Sequence, residues 1–101
     1  MRVFLVVESF VPSHLKKDFD NWYKNEHLSE AKQSFHAISA SRGWETENGD
    51  IHYAYYEFDD LEKANKILKS KSLKKMINIY DKKWSHQIDR TRKIITISQE
   101  I

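Results

Sequence analysis

The sequence predicts one α+β domain, residues 1–101, with element order β-α-β-β-α-β and an antiparallel four-stranded sheet carrying its helices on one face. Three observations predict it. Residues 2–8, 51–58 and 92–98 are dense in β-branched and aromatic residues. Stretches 14–32 and 61–84 repeat their apolar residues at helical spacing, so two helical regions separate the strands. Asn48-Gly49 supplies a hairpin turn between two strand-like stretches in the middle. At 101 residues there is apolar material for only one core.

The first strand, Arg2-Val3-Phe4-Leu5-Val6-Val7-Glu8, is a continuous apolar run, the pattern of a strand covered on both faces. Pro12-Ser13 punctuates it, with Ser13 as a plausible N-cap. From His14 to about Lys32, Leu15, Phe19, Trp22 and Glu26 share one stripe, with Tyr23 and His27 on its flank. Ser34 to Glu45 reads as the second strand and Ile51 to Phe58 as its returning partner. A type I′ turn on Asn48-Gly49 sets Trp44 opposite Tyr53, Arg42 opposite Tyr55, Ser41 opposite Tyr56 and Ser39 opposite Phe58. Asp59-Asp60-Leu61-Glu62 resembles a capping box. Leu61, Ala64, Ile67 and Leu68 follow as a helix, which Ser70-Lys71-Ser72 interrupts. A second helical piece carries Leu73, Met76, Ile77, Tyr80 and Trp84 on one face. Arg92 to Ser98, with Ile94, Ile95 and Ile97, is the last strand.

This is the ferredoxin-like arrangement, and it has a consequence. Helices cover one sheet face, yet the first strand is apolar on both. A second copy of the chain is the simplest cover, so a homodimer through the open sheet face is expected.

Composition narrows the function classes. Aromatics make up 13% of the chain, enough large rings to build a small core. Cys 0 removes disulfides, thiolate zinc sites and cysteine nucleophiles together. No apolar run approaches the roughly 20 residues of a membrane helix. The N-terminal run lacks the length and cleavage site of a signal peptide. A cytoplasmic protein is expected. Net charge is +2, but Trp44 to Glu62 contains acids and no Lys or Arg, whereas Lys63 to Lys83 contains eight lysines and one acid, Asp81. Those lysines fall between the apolar positions of an amphipathic helix, the pattern of a solvated face rather than of a nucleic-acid surface.

The most specific stretch is Phe19-Asp20-Asn21-Trp22-Tyr23-Lys24-Asn25-Glu26-His27-Leu28. It resembles the helix-one signature of the EthD-like branch of the dimeric α/β-barrel superfamily: Phe, then Trp-Tyr, then Glu-His-Leu near the helix end. Tyr53-Ala54-Tyr55-Tyr56-Glu57-Phe58-Asp59-Asp60 is similar to that branch's third strand entering its second helix. Element order and length match across essentially the whole chain. The resemblance implies a dimeric α/β barrel with a pocket between sheet and helices. It also implies small-molecule chemistry of the superfamily's kinds: quinol-forming or cofactor-free monooxygenation, lactone isomerisation, polyketide cyclisation and dehydration. Haem degradation is disfavoured, because those relatives use an Asn on the first strand and this strand has none.

His27 is the leading candidate for chemistry. The resemblance implies that it borders the pocket, and an imidazole titrates nearest working pH. A helix C-terminus, Glu26 or Glu30 would favour its protonated form. Glu26, in the middle of an apolar stripe, needs a partner or a raised pKa; the alternative is a residue turned out to solvent. Tyr23 and Tyr56 bring phenols that need partners. Phe19, Trp22, Tyr56 and Trp84 would line a site for a flat, hydrophobic ligand, although core packing alone explains the two tryptophans. Arg42 is expected on the strand face with Trp44, pairing with Glu57 at the dimer interface, or else holding an anion. His36 and His52 fall on opposite hairpin faces and do not share a metal. His14 and His86 read as solvent-facing. No zinc helix, Gly-rich phosphate loop or nucleophile elbow occurs, and no cofactor or metal is expected.

The favoured expectation is an enzyme acting on an aromatic or polyketide-like molecule, with His27 transferring a proton assisted by Tyr23 or Tyr56. The alternative is a non-catalytic dimeric ligand-binding or stress-associated module with a small or filled pocket. The sequence leaves enzyme and binding module both open.

Overall fold

The computed structural model describes residues 2–101. Four strands, β1 (Val3–Phe10), β2 (Ser39–Trp44), β3 (Ile51–Phe58) and β4 (Asp89–Thr96), form one sheet in the order β2-β3-β1-β4. Every neighbouring pair is antiparallel. Helices α1 (Lys16–Trp22), α2 (Leu28–Phe35), α3 (Leu61–Leu68) and α4 (Lys71–Trp84) complete the predicted α+β, ferredoxin-like fold. No helix among the described residues is long and apolar enough to cross a membrane.

Alternation along the strands decides which side chains reach the helices. Val3, Leu5, Val7 and Ser9 of β1 are paired with Phe58, Tyr56, Ala54 and His52 of β3, and all eight are buried. They pack with Phe19, Trp22, Tyr23, Ala31 and Phe35 from the first helical region and Leu73, Met76, Tyr80 and Trp84 from α4. On the opposite face Phe4, Tyr53 and Glu57 are half-buried and Phe10, Tyr55 and Ile95 are exposed. Val6 alone of that face is closed off.

Several local readings hold. β3 spans Ile51–Phe58 as expected. Ser70 ends α3, with its hydroxyl on the Ile67 carbonyl at 2.7 Å, and caps α4 through the Leu73 amide at 3.1 Å. The α3 cap is Asp60, accepting from the Lys63 amide at 2.8 Å, so the expected Asp59-to-Glu62 capping box is displaced by one residue. The eight lysines from Lys63 to Lys83 are all exposed.

The hairpin register is corrected by one residue. Trp44 pairs with His52, Arg42 with Ala54, Ser41 with Tyr55, Ala40 with Tyr56 and Ser39 with Glu57. A type I′ turn needs positive φ at both central residues, and Gly49 does not adopt it. Instead the Asn48 side chain accepts from the Asp50 amide at 3.3 Å and the Asn48 carbonyl from the Ile51 amide at 3.1 Å. Glu45 and Ile51 then close the wider loop. A one-residue shift reverses the facing of β2, so Ala40, Arg42 and Trp44 share the helix-covered face with His52 and Tyr56. Arg42 therefore does not pair with Glu57; that carboxylate takes Arg2 and Ser39.

Three boundaries also differ. Ser13 opens a 3-10 turn, Ser13–Leu15, without capping a helix; its hydroxyl turns to Asp50 at 3.4 Å. α2 runs on to Phe35 and closes on His36 in the left-handed conformation, so β2 begins only at Ser39. β4 begins at Asp89, three residues before the expected start.

Candidate functional site

A π-helical turn, Tyr23–His27, interrupts the first helical region between α1 and α2. It decides which side chains point inward. An i→i+5 turn accommodates one residue more than an α-turn, so the apolar stripe of Phe19 and Trp22 continues to His27 rather than to Glu26. Glu26 is exposed and His27 is 4% exposed. The expectation for Glu26 is corrected on that ground: it lies outside the core, beside an outer groove with Asn25 and Lys83. Nor is His27 at a helix C-terminus, because α2 continues for eight residues beyond it.

The His27 ring stacks on Trp22, with centroids 4.1 Å apart and planes 14° from parallel, and meets Tyr23 edge-on at 4.9 Å. Its Nδ1 is buried without a hydrogen-bond partner. Burial, and then the positive charge of Arg90, lower its pKa to about 4, so the imidazole is neutral near pH 7. Protonation by a helix terminus or by Glu26 is not what this environment favours.

A small, partly open cavity of about 30 Å³ adjoins His27. Its polar lining is Tyr23, His27, Tyr56, Tyr80, Arg90 and Arg92, and its apolar lining includes Val7, Ala31, Phe35, Leu73, Met76 and Ile77. The site residues read from the sequence divide here. Tyr23, His27 and Tyr56 border the cavity. Phe19, Trp22 and Trp84 do not; they pack on one another at 5.4–6.2 Å as a buried aromatic layer behind it. The Tyr23 and Tyr56 phenols interact, and burial raises both above the ordinary tyrosine value, so both remain protonated donors.

Four further residues belong to the site or adjoin it without being site candidates in the sequence. Tyr80, from α4, donates to the buried Ser9 hydroxyl at 2.9 Å. Arg90 lies over the Tyr80 ring, Cζ to centroid 3.8 Å, and pairs with Asp81 at 3.1 Å while its Nη1 is buried without a partner. Arg92 follows two residues along β4 on the same face. The fourth, His52, is fully buried, edge-on to Phe19 and close to Tyr23. Its Nε2 is 3.3 Å from Arg42 Nη1, which also donates to Asp20 at 2.8 Å. Trp44 Nε1 donates to the same Asp20 oxygen at 2.8 Å. Burial, then Arg42, lower His52 to about 4 as well. Arg90 and Arg92 carried a signal: Arg-x-Arg at strand spacing puts two guanidiniums on one face. Among the described residues no three metal-ligating side chains converge.

No family profile and no curated protein sequence matches the chain. Solved structures do. An ethyl tert-butyl ether D (EthD) family protein from Bacillus halodurans C-125 superposes with a TM-score of 0.73 at 17% identity, covering 96% of this chain and 99% of its own. SnoaB, a cofactor-independent oxygenase from Streptomyces nogalater, gives 0.71 at 10% identity over 99% and 96%. An antibiotic biosynthesis monooxygenase gives 0.66 at 9% identity over 96% and 99%. At these identities the likeness is one of fold: the chain shares the ferredoxin-like fold of these proteins, and the EthD family protein among them agrees with the resemblance carried by Phe19–Leu28.

Proposed function

We propose that the chain is a cytoplasmic, homodimeric, monooxygenase-like small-molecule enzyme whose substrate is an aromatic or polyketide-like molecule bound between sheet and helices. The observation that carries this is a pair of unpartnered buried polar atoms, His27 Nδ1 and Arg90 Nη1, on two residues that line one cavity. Buried polar atoms without partners are rare, and here both belong to residues that line one cavity, where a ligand could satisfy them.

Neutral His27 would take a proton from the substrate, and the Tyr23 or Tyr56 phenol would donate to the oxygen on which negative charge develops. Return of that proton to another carbon completes an isomerisation; its transfer to a leaving hydroxyl completes a dehydration. In a cofactor-free oxygenation the substrate anion would instead react with dioxygen at a ring CH2, one oxygen atom becoming a carbonyl on that carbon and the other leaving as water with the carbon's two hydrogens. The structural likeness to a cofactor-independent oxygenase favours chemistry of this class. The open sheet face, with Phe10, Tyr55 and Ile95 exposed, would be covered by a second copy.

One observation favours the non-catalytic alternative. A cavity of about 30 Å³ holds one or two waters, whereas about 150 Å³ is needed for a benzene ring. The enzyme reading thus requires α4 to move away from β4 when substrate enters. Ile77, Arg90 and Arg92 line both the cavity and a surface groove outside it, which is where that opening would occur.

A thermal-shift screen of wild type and His27→Ala against phenols, quinones and lactones tests the reading. Ligand at about 100 times its Kd adds roughly 2.7 kcal/mol, a rise of several degrees for a domain of this size. A compound that stabilises wild type and loses most of that shift in His27→Ala is the expected result. No stabilising compound in the panel would favour the filled-core module.

A further inference from the structure

We infer that the ligand of this cavity is an anion, a planar carboxylate or enolate whose negative oxygens are held by Arg90 and Arg92 at the mouth between α4 and β4. The inference rests on the cavity being a ligand site and goes beyond it by naming the charge of what enters.

Arg90 and Arg92 lie two residues apart on one face of β4, opposite Ser9 and Val7 of β1, and both line the cavity. Only one carboxylate reaches them: Asp81 takes Arg90 at 3.1 Å, and no ion pair involves Arg92 among the described residues. The Arg90 side chain is 10% exposed, so its charge is largely removed from water. Burial first, and the nearby Arg90 charge second, depress the Arg92 guanidinium below its usual value, while Asp81 acts in the opposite direction. A protein seldom keeps two part-buried guanidiniums beside a single carboxylate, because unpaired buried charge is costly. The vacant donors supply the remaining reason. Arg90 Nη1 is buried and unpartnered, and a guanidinium fork is shaped for two oxygens in one plane. The Arg90 guanidinium lies over the Tyr80 ring, and Tyr23 and Tyr56 line the same cavity.

The alternative is that Arg90 and Arg92 serve only the fold, tying β4 to α4 through Asp81. The two accounts differ in ligand preference. Benzoate, salicylate and 1-hydroxy-2-naphthoate, each beside its neutral amide, are titrated into the dimeric or monomeric protein as isolated, following tryptophan fluorescence. At least one acid should bind tenfold or more tightly than its amide, and raising salt should weaken the acid alone. Arg92→Gln should abolish the preference by lowering the affinity for the acid tenfold or more, and Arg92→Lys should restore part of it. No preference for any acid, including no binding at all, overturns the inference. So does a preference that survives Arg92→Gln. An acid preference in a protein whose His27→Ala variant binds and reacts unchanged leaves the anion site standing and removes the catalytic reading; a neutral substrate turned over through His27 does the reverse.

Discussion

Acidification from pH 7 to pH 4 should remove stability through two neutral histidines. His27 and His52 each titrate near 6.5 when unfolded and at about 4 when folded. Between those values the unfolded chain binds protons that the folded chain refuses, so stability is full above pH 6.5 and falls as pH drops toward 4. Each shift of about 2.5 units corresponds to about 3 kcal/mol at 1.36 kcal/mol per unit. His27 itself helps to depress His52, so the pair contributes less than twice that. Against a typical stability of about 5–15 kcal/mol, the loss is large. Near pH 5 two protons give a slope of up to about 2.7 kcal/mol per pH unit. The charges facing the two rings are Arg90 for His27, and Arg42 and Asp20 for His52. Asp20, lowered by Arg42 and Trp44, loses its contribution only below the usual carboxylate range, so it does not shape this window. Urea titrations at fixed protein concentration, followed by tryptophan fluorescence at pH 7, 6, 5 and 4, read the slope. With an m-value of about 1–3 kcal/mol/M, the midpoint should fall by up to about 1–3 M per unit near pH 5. His27→Gln with His52→Gln should flatten it. A wild-type midpoint that stays constant from pH 7 to 4.5, or a slope unchanged in the double variant, would refute the reasoning.

Two further outcomes follow from other parts of the fold. Asp20→Ala leaves Trp44 Nε1 without its acceptor and the Arg42 charge without its carboxylate beside His52. Since the carboxylate is itself 41% exposed, the loss should be about 1–2 kcal/mol in urea denaturation, and a change below about 0.5 kcal/mol would contradict the network. Tyr55→Asp with Ile95→Asp puts charge into the open sheet face. Light scattering should show wild type at twice the 12.1 kDa chain mass and the variant at once that mass; a monomeric wild type would end the dimer proposal.

Much of this was legible because periodicity reports burial. The strand from Ile51 to Phe58 and the α4 face of Leu73, Met76, Tyr80 and Trp84 follow from spacing alone, and Ser70-Lys71-Ser72 marks the break between the two helical pieces. What failed to show was every feature that breaks a period by one residue. The π-turn moves the stripe from Glu26 to His27, and its backbone pattern leaves no trace in residue types. The loop around Asn48 shifts the hairpin register by one because the Asn side chain, rather than a type I′ turn, closes it; that shift carries Arg42 from the open face to Asp20 and His52. The start of β4 at Asp89 brings Arg90 onto the cavity wall, where a strand beginning at Arg92 leaves it in a loop. Burial of His52 depends on the same facing of β3 that was correctly read for Tyr56, but a lone histidine in an aromatic strand gives no sign of its partners.

Turnover of a cavity ligand by wild type and His27→Gln at pH 7 tests the central claim most directly. Proton transfer by a positioned side chain contributes about 10²–10⁴-fold, so kcat/KM should fall by at least 100-fold in the variant while the Kd of the ligand stays within a few-fold. Full turnover in His27→Gln would contradict the account.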